Sequence, residues 1–174
     1  MWQLLADIGL KLAAALFPFI VRRFYKVERL HRGVKIRIVD GQEGIRVFGG
    51  ELPRFQAWLR ITNLTPLTIT LDRIYGELYH GSKLADFTNL DKHVIPTASE
   101  IELVVQADLT SDHVLYVRRN LAQRFETYLR VSVHVKSRLH NFEISGREVK
   151  TRNVELTNCP PLQPTAASVV AQGT

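Results

Sequence analysis

Leu129-Arg130-Val131-Ser132-Val133-His134-Val135-Lys136 places an apolar side chain at every odd position and a polar one at every even position. Successive side chains of a strand point to opposite faces, so the stretch predicts a strand with one buried and one wetted side. The same period of two recurs upstream. Val34-Lys35-Ile36-Arg37-Ile38 alternates cleanly, and glycines bracket Ile45-Arg46-Val47-Phe48 as a short turn-bounded strand. Phe55, Ala57, Leu59 and Ile61 share one side of a further strand, with Gln56, Trp58, Arg60 and Thr62 on the other.

After the turn Asn63-Leu64-Thr65-Pro66, the apolar residues Leu67, Ile69 and Leu71 alternate, and Ile74, Gly76 and Leu78 continue on the opposite parity. A slip of one residue inside a strand is the mark of a β-bulge, expected at Asp72-Arg73. Residues 84–90 form a weaker strand. Ile101, Leu103, Val105 and Ala107 mark another, with Glu102, Gln106 and Asp108 outward, and Phe142 to Val149 returns through a turn at residues 137–141. One segment breaks the rhythm: in residues 111–124, Val114, Val117 and Leu121 fall at helical spacing behind capping residues, which predicts a single packed helix. About seven strands with short turns imply an antiparallel β-sandwich.

The run Ile61-Thr62-Asn63-Leu64-Thr65-Pro66-Leu67, continuing through Asp72-Arg73-Ile74-Tyr75-Gly76-Glu77-Leu78 to Gly81, resembles the core of the late embryogenesis abundant type 2 proteins, the water stress and hypersensitive response domain. In that family an Asn-Pro turn leads into a long strand ending at a glycine. Here Leu64 and Thr65 separate Asn63 from Pro66. The resemblance covers residues 34–156. It implies a mostly β, fibronectin/immunoglobulin-like sandwich, often tethered to a membrane, with stress-protective, lipid-related or scaffold roles and no catalytic residues.

The N-terminus is of another kind. Residues 2–21 would span about 30 Å as a helix, the thickness of a bilayer core. Leu4, Leu5, Ile8, Leu12, Ala15, Leu16 and Phe19 fill one broad side, Leu10, Phe17 and Val21 cover much of the other, and Gln3, Asp7 and Lys11 form a thin polar stripe. Asp7 and Lys11, spaced i, i+4, can neutralise one another or join helices. Pro18 should bend the last turns. Two charges and a proline weaken insertion, whereas the wide apolar surface exceeds that of a simple surface helix, so spanning, re-entrant and interfacial placements all stay open, as does burial against protein.

Charge follows the same division. Residues 1–50 carry nine Lys/Arg against four Asp/Glu, whereas the remaining 124 carry 14 against 13. A near-neutral body with a basic end beside an apolar run suits an anionic lipid surface and disfavours nucleic acid. The bases follow the apolar run, the reverse of a secretory signal, and place the domain on the cytoplasmic side of a membrane. Phe24 and Tyr25 stand among Arg22, Arg23, Lys26 and Arg29 as aromatics do at headgroup depth. The expected lipid contacts are thus Trp2, Leu5, Leu12, Leu16, Phe17, Phe19, Arg22, Arg23, Phe24, Tyr25, Lys26 and Arg29. Three regions result: a membrane-associating helix with its basic collar (1–32), a sandwich (33–157) and a Pro/Ala/Ser/Thr-rich tail (158–174).

Catalytic signals are weak. Ser111-Asp112-His113 are adjacent, so they cannot point at one another in relay geometry, and helix capping explains them better. The six histidines fall in no metal-ligand spacing and are expected at the surface, and no phosphate loop, metal site or cofactor motif is present. Asn63-Leu64-Thr65 matches a glycosylation sequon but precedes Pro66 and falls on the expected cytoplasmic side. Cys159 reads as a free tail thiol. Outward Trp58, Tyr75, Tyr79 and Tyr128 form a binding patch only if their strands are neighbours, and cross-strand packing explains them as readily. The expected function is a non-enzymatic, membrane-tethered module that binds lipid or a protein partner. A structural subunit of a membrane assembly, forming homo-oligomers through Asp7 and Lys11, is the alternative.

Overall fold

The computed structural model describes residues 26–39, 44–123, 125–151 and 153–159. The expected membrane helix lies outside them, and with it Trp2, Leu5, Asp7, Lys11, Leu12, Leu16, Phe17, Phe19, Arg22, Arg23, Phe24 and Tyr25. The elements in order are α1 (Val27–Gly33), β1 (Val34–Ile38), β2 (Ile45–Phe48), β3 (Arg54–Asn63), β4 (Ile69–His80), β5 (Ser82–Asn89), β6 (His93–Ile95), β7 (Ser99–Asp108), α2 (Ser111–Asn120), a 3-10 turn (Leu121–Gln123), β8 (Thr127–Ser137), β9 (Asn141–Thr151) and β10 (Val154–Thr157).

The chain is mostly β, in two five-stranded sheets. In the first, β3 pairs with β7 along one edge and with β1 and β2 along the other, and β10 adds to β2. In the second, β4 pairs with β5, β6 and β8, and β9 continues from β8. The alternating rows are the reason. Phe55, Ala57, Leu59 and Ile61 of β3 are fully buried, as are Leu129, Val131, Val133 and Val135 of β8, and all belong to one core cluster. Phe55 meets Phe87 of β5 edge-on, at 6.0 Å between ring centres, so the two inner faces interlock.

The slip read at Asp72-Arg73 is a bulge. Leu71 pairs with Val135 and Arg73 with His134, leaving Asp72 unopposed. Lys136 reaches the Asp72 carboxylate at 2.9 Å and Lys92 at 3.8 Å. The hydrogen bond from Lys136 holds that carboxyl below its usual range. A second bulge, at Ser145-Gly146 of β9, was not expected. Gly146 has φ +58°, and its N–H donates to Ser132 Oγ at 2.9 Å, which buries an outward serine.

Four further expectations need correction. The sheets are not wholly antiparallel, because β10 runs parallel to β2, with Val154 opposite Ile45 and Thr157 opposite Phe48. Leu121 falls in the 3-10 turn and is exposed, so Val114 and Val117, with Tyr116 partly buried beside them, anchor the helix. Cys159 packs against the core and is no loose tail thiol, and its carbonyl accepts from Arg118 Nη1 at 3.3 Å. His80 is no surface histidine: it is 2% exposed, with Nδ1 2.7 Å from Thr127 Oγ1 and its ring edge-on to Tyr116 and Phe125.

Asn63 closes β3 and ties the segments around it. Its side chain is fully buried. Nδ2 donates to the carbonyls of Leu67 (2.8 Å), Ile95 (3.0 Å) and Pro96 (3.0 Å), while Oδ1 accepts from the Thr65 N–H (3.0 Å) and hydroxyl (2.7 Å). The sequon asparagine is therefore spent inside the fold. Asn63→Ala leaves several buried polar groups unpaired and should cost about 3 kcal/mol in chemical denaturation. A loss within the error of such measurements would contradict the clamp.

Burial pushes the His80 imidazole below its ordinary pKa, because the charged form loses water. The native state thus holds His80 neutral while the unfolded chain protonates near pH 6.5. Stability is full above that pH and falls as pH drops below it. A His80→Gln chain should show a smaller loss of denaturation midpoint between neutral and mildly acidic pH than the parent; an identical loss would exclude His80 as the cause.

Candidate functional site

The described part of the collar, residues 26–33, is folded. α1 carries Leu30 into the core, where it is 1% exposed, and His31 packs against Phe142 of β9 at 6.3 Å. Lys26 and Arg29, the two expected lipid contacts among the described residues, are both exposed, as is Arg32. Gly33 then meets the turn after β3: its carbonyl accepts from the Leu64 N–H at 2.7 Å, and a Cβ at residue 33 would lie 2.7 Å from Thr65 Cγ2. Only glycine permits this approach without a shift of the turn.

This junction forms a basin of about 550 Å³. Arg29, Arg32, Leu64, Pro66, Thr97 and Ala98 line it from three segments, and none of the described residues lining it is acidic. Leu64 is 58% exposed at its rim, an apolar side chain directed away from the core. Asn63 fixes the base, since its carboxamide bonds both the turn at 64–67 and the chain at 95–96. Ile69 pairs with Ile95 on one side and Ser137 on the other, so the turn at 137–141, with exposed Arg138, projects from the same end of the fold. Sequence reasoning placed Lys26, Arg29 and Arg32 in the basic collar but missed Leu64 and Arg138, which only the sheet topology brings to the same end.

The four outward aromatics are not one patch. Trp58 lies on the outer face of the first sheet, opposite Val104 and beneath the Arg46 guanidinium at 5.1 Å. Tyr75, Tyr79 and Tyr128 lie on the second. Tyr79 and Tyr128 are directly opposite and stack at 4.8 Å, nearly parallel, with Arg130 over Tyr79 at 5.0 Å. Tyr79 Oη donates to Glu77 Oε2 (2.9 Å), and Lys83 Nζ contacts Glu77 and Asp86 at 2.8 Å each. Those bonds, first from Lys83 and then from Tyr79, hold the Glu77 carboxyl below its usual range, and Asp86 and then Glu77 raise Lys83. Tyr75 donates to Glu143 Oε1 at 2.5 Å, and His134 stands beside that carboxylate at 3.5 Å.

A groove of about 370 Å³ runs between Tyr75, Glu77, Asp86, Thr88 and Arg130. Its polar groups are engaged by neighbours on the sheet, Tyr75 by Glu143, Glu77 and Asp86 by Lys83, and Arg130 by Glu77 and Glu148, the pattern of cross-strand packing. The Ser111-Asp112-His113 segment forms the first turn of α2, but the cap is the residue before it: the His113 N–H donates to Thr110 Oγ1 at 3.2 Å. Among the described residues, no group of three His, Cys, Asp or Glu side chains could hold a metal ion, and no helix is long and apolar enough to cross a membrane.

No protein-family model matches the chain, and no curated protein sequence is similar to it. Solved structures share its fold. A structural-genomics target designated SoR45 superposes with a TM-score of 0.50 at 9% identity, over 78% of this chain and 96% of that one. The ApaA protein of Bordetella pertussis gives 0.40 at 15% identity, over 67% and 87%. A protein described as late embryogenesis abundant is weakly similar, at 0.37 and 11% identity over 86% of each chain.

If the tyrosines serve packing, Tyr79 and Tyr128 should be coupled. A double-mutant cycle with Tyr79→Leu and Tyr128→Leu should return about 1 kcal/mol of interaction energy in denaturation experiments. Strict additivity would mean the stack contributes nothing and would return the pair to the list of free binding groups.

Proposed function

We propose that this chain is a non-enzymatic, membrane-tethered module, a fibronectin-like sandwich of the late embryogenesis abundant type 2 kind, held at an anionic bilayer surface on its cytoplasmic side. One observation carries the reading: part of the basic excess of residues 1–50 is exposed on α1, at the end of the fold where β3 turns into β4. Lys26, Arg29 and Arg32 are exposed there beside Glu28, the apolar run 2–21 lies just before them in the sequence, and Arg138 is exposed at the same end. Each base near an anionic surface contributes on the order of 1 kcal/mol. On the outer faces of the sheets, Arg46, Arg60, Lys83 and Lys150 each meet a carboxylate.

The resemblance of residues 61–81 supports a protective or scaffold role under water stress, exercised at the membrane. In this reading the apolar segment supplies the anchor, the bases set sidedness, and the domain is the part that meets lipid or protein.

Flotation of the purified full chain with phosphatidylserine-containing phosphatidylcholine vesicles tests the tether. The full chain should float, and removal of residues 2–21 should lower the bound fraction at least about tenfold, since a surface contact alone binds weakly. Equal flotation of both would sink the tether. A defined detergent-solubilised oligomer lost in Asp7→Ala, without lipid binding, would instead establish the assembly-subunit alternative.

A further inference from the structure

We infer that the basin between α1, the β3–β4 turn and the β6–β7 turn is itself a lipid-facing surface, with Leu64 as an apolar contact that enters the interface and Arg29, Arg32 and Arg138 as its anionic-headgroup contacts. The inference rests on the membrane-tethered reading and goes further, because a tether alone leaves the orientation of the domain undefined. Leu64 is 58% exposed, with Pro66 and Ala98 exposed beside it, while Arg29 and Arg32 stand in the same basin wall. Apolar side chains directed outward among bases, with no acid among the described lining residues, match the two halves of a bilayer surface, acyl boundary and anionic headgroup.

The geometry is preformed. Leu64 is held by its own N–H on the Gly33 carbonyl at 2.7 Å, and its neighbours Asn63 and Thr65 are locked by hydrogen bonds at 2.7 and 3.0 Å. The side chain therefore projects from a fixed turn, and docking requires no reordering of the backbone. Leu52 offers the internal contrast. It is 85% exposed, more than Leu64, but stands in the β2–β3 loop. That loop lies at the opposite end of β3 from Asn63, so it points away from a membrane docked through the collar.

A bilayer, and not a soluble phosphate compound, is the occupant to which the surface commits. A free phosphate would use the arginines but gain nothing from Leu64 or Pro66. A membrane uses both, and residues 2–21 bring the same end of the chain to it.

The test uses full-length protein with Cys159→Ser and a single new thiol, Leu64→Cys or Leu52→Cys, carrying an environment-sensitive fluorophore. Thermal melts of each labelled chain confirm that it folds. On phosphatidylserine-containing phosphatidylcholine vesicles, the probe at 64 should shift to the blue and the probe at 52 should not. Adding Arg32→Glu and Arg138→Glu should weaken the anionic-over-neutral preference of that shift by roughly tenfold or more. Co-sedimentation without a shift at 64, or with equal shifts at 64 and 52, would overturn the inference and leave the tether standing. Failure to co-sediment with any vesicle would overturn the tether and the inference with it. The same shift with inorganic phosphate or a soluble inositol phosphate would reassign the basin to a free phosphate. A shift that grows with protein concentration without lipid would reassign it to a second copy of the chain.

Discussion

Asn63 reaches the end of β3 with its side chain wholly enclosed, and two N–H groups there serve three carbonyls drawn from two other parts of the chain. A buried carboxamide is tolerable only when its donors and acceptors are met, and here they are met by the backbone groups that the turns before β4 and after β6 would otherwise leave unpaired. One side chain thus joins the last residue of a first-sheet strand to β6 of the second sheet. The turn it shapes places Leu64 N–H on the Gly33 carbonyl, which brings α1 into the same joint. Residues 26–33 are therefore continuous with the fold, and Arg29 and Arg32 keep a fixed position relative to both sheets.

That continuity separates two kinds of surface. On the outer face of the second sheet, tyrosines and charged groups pair with their neighbours, with Lys83 and Arg130 near carboxylates and Tyr79 stacked on Tyr128 beneath Arg130. Exposed pairs of this sort add little stability individually, but they leave little uncompensated field. At the collar end the bases outnumber the acids, and apolar side chains stand among them. Specificity for an anionic surface needs that imbalance together with a fixed geometry, because a flexible basic segment would follow a headgroup without orienting the domain.

Much of this architecture was legible in the residues. Alternation in β1, β3, β7 and β8 gave the strands and their buried faces, and the parity change after Leu71 located the bulge at Asp72, because a bulge must shift every later side chain by one. His80 could have been read correctly by the same rule, since it continues the even-numbered inward row Ile74, Gly76, Leu78; Asn63 likewise continues the odd-numbered row of β3. Both were passed over as polar residues at strand ends. β10 was beyond local pattern, as four residues alternate too briefly to announce a strand, and its parallel pairing with β2 depends on a partner more than a hundred residues away. The basin was illegible for the same reason: Arg32, Leu64, Thr97 and Ala98 meet only because the two sheets set their turns at one end.

The central claim is that the domain meets an anionic membrane with its collar end. Hydrogen exchange followed by mass spectrometry, on the full chain with and without phosphatidylserine-containing vesicles, tests it most directly. The account predicts added protection in peptides covering residues 26–33, 64–68 and 96–99, with the β4 and β8 segments bearing Tyr75, Tyr79 and Tyr128 unchanged. Protection centred on those tyrosine-bearing strands, or none in the folded domain when the chain is vesicle-bound, would contradict it.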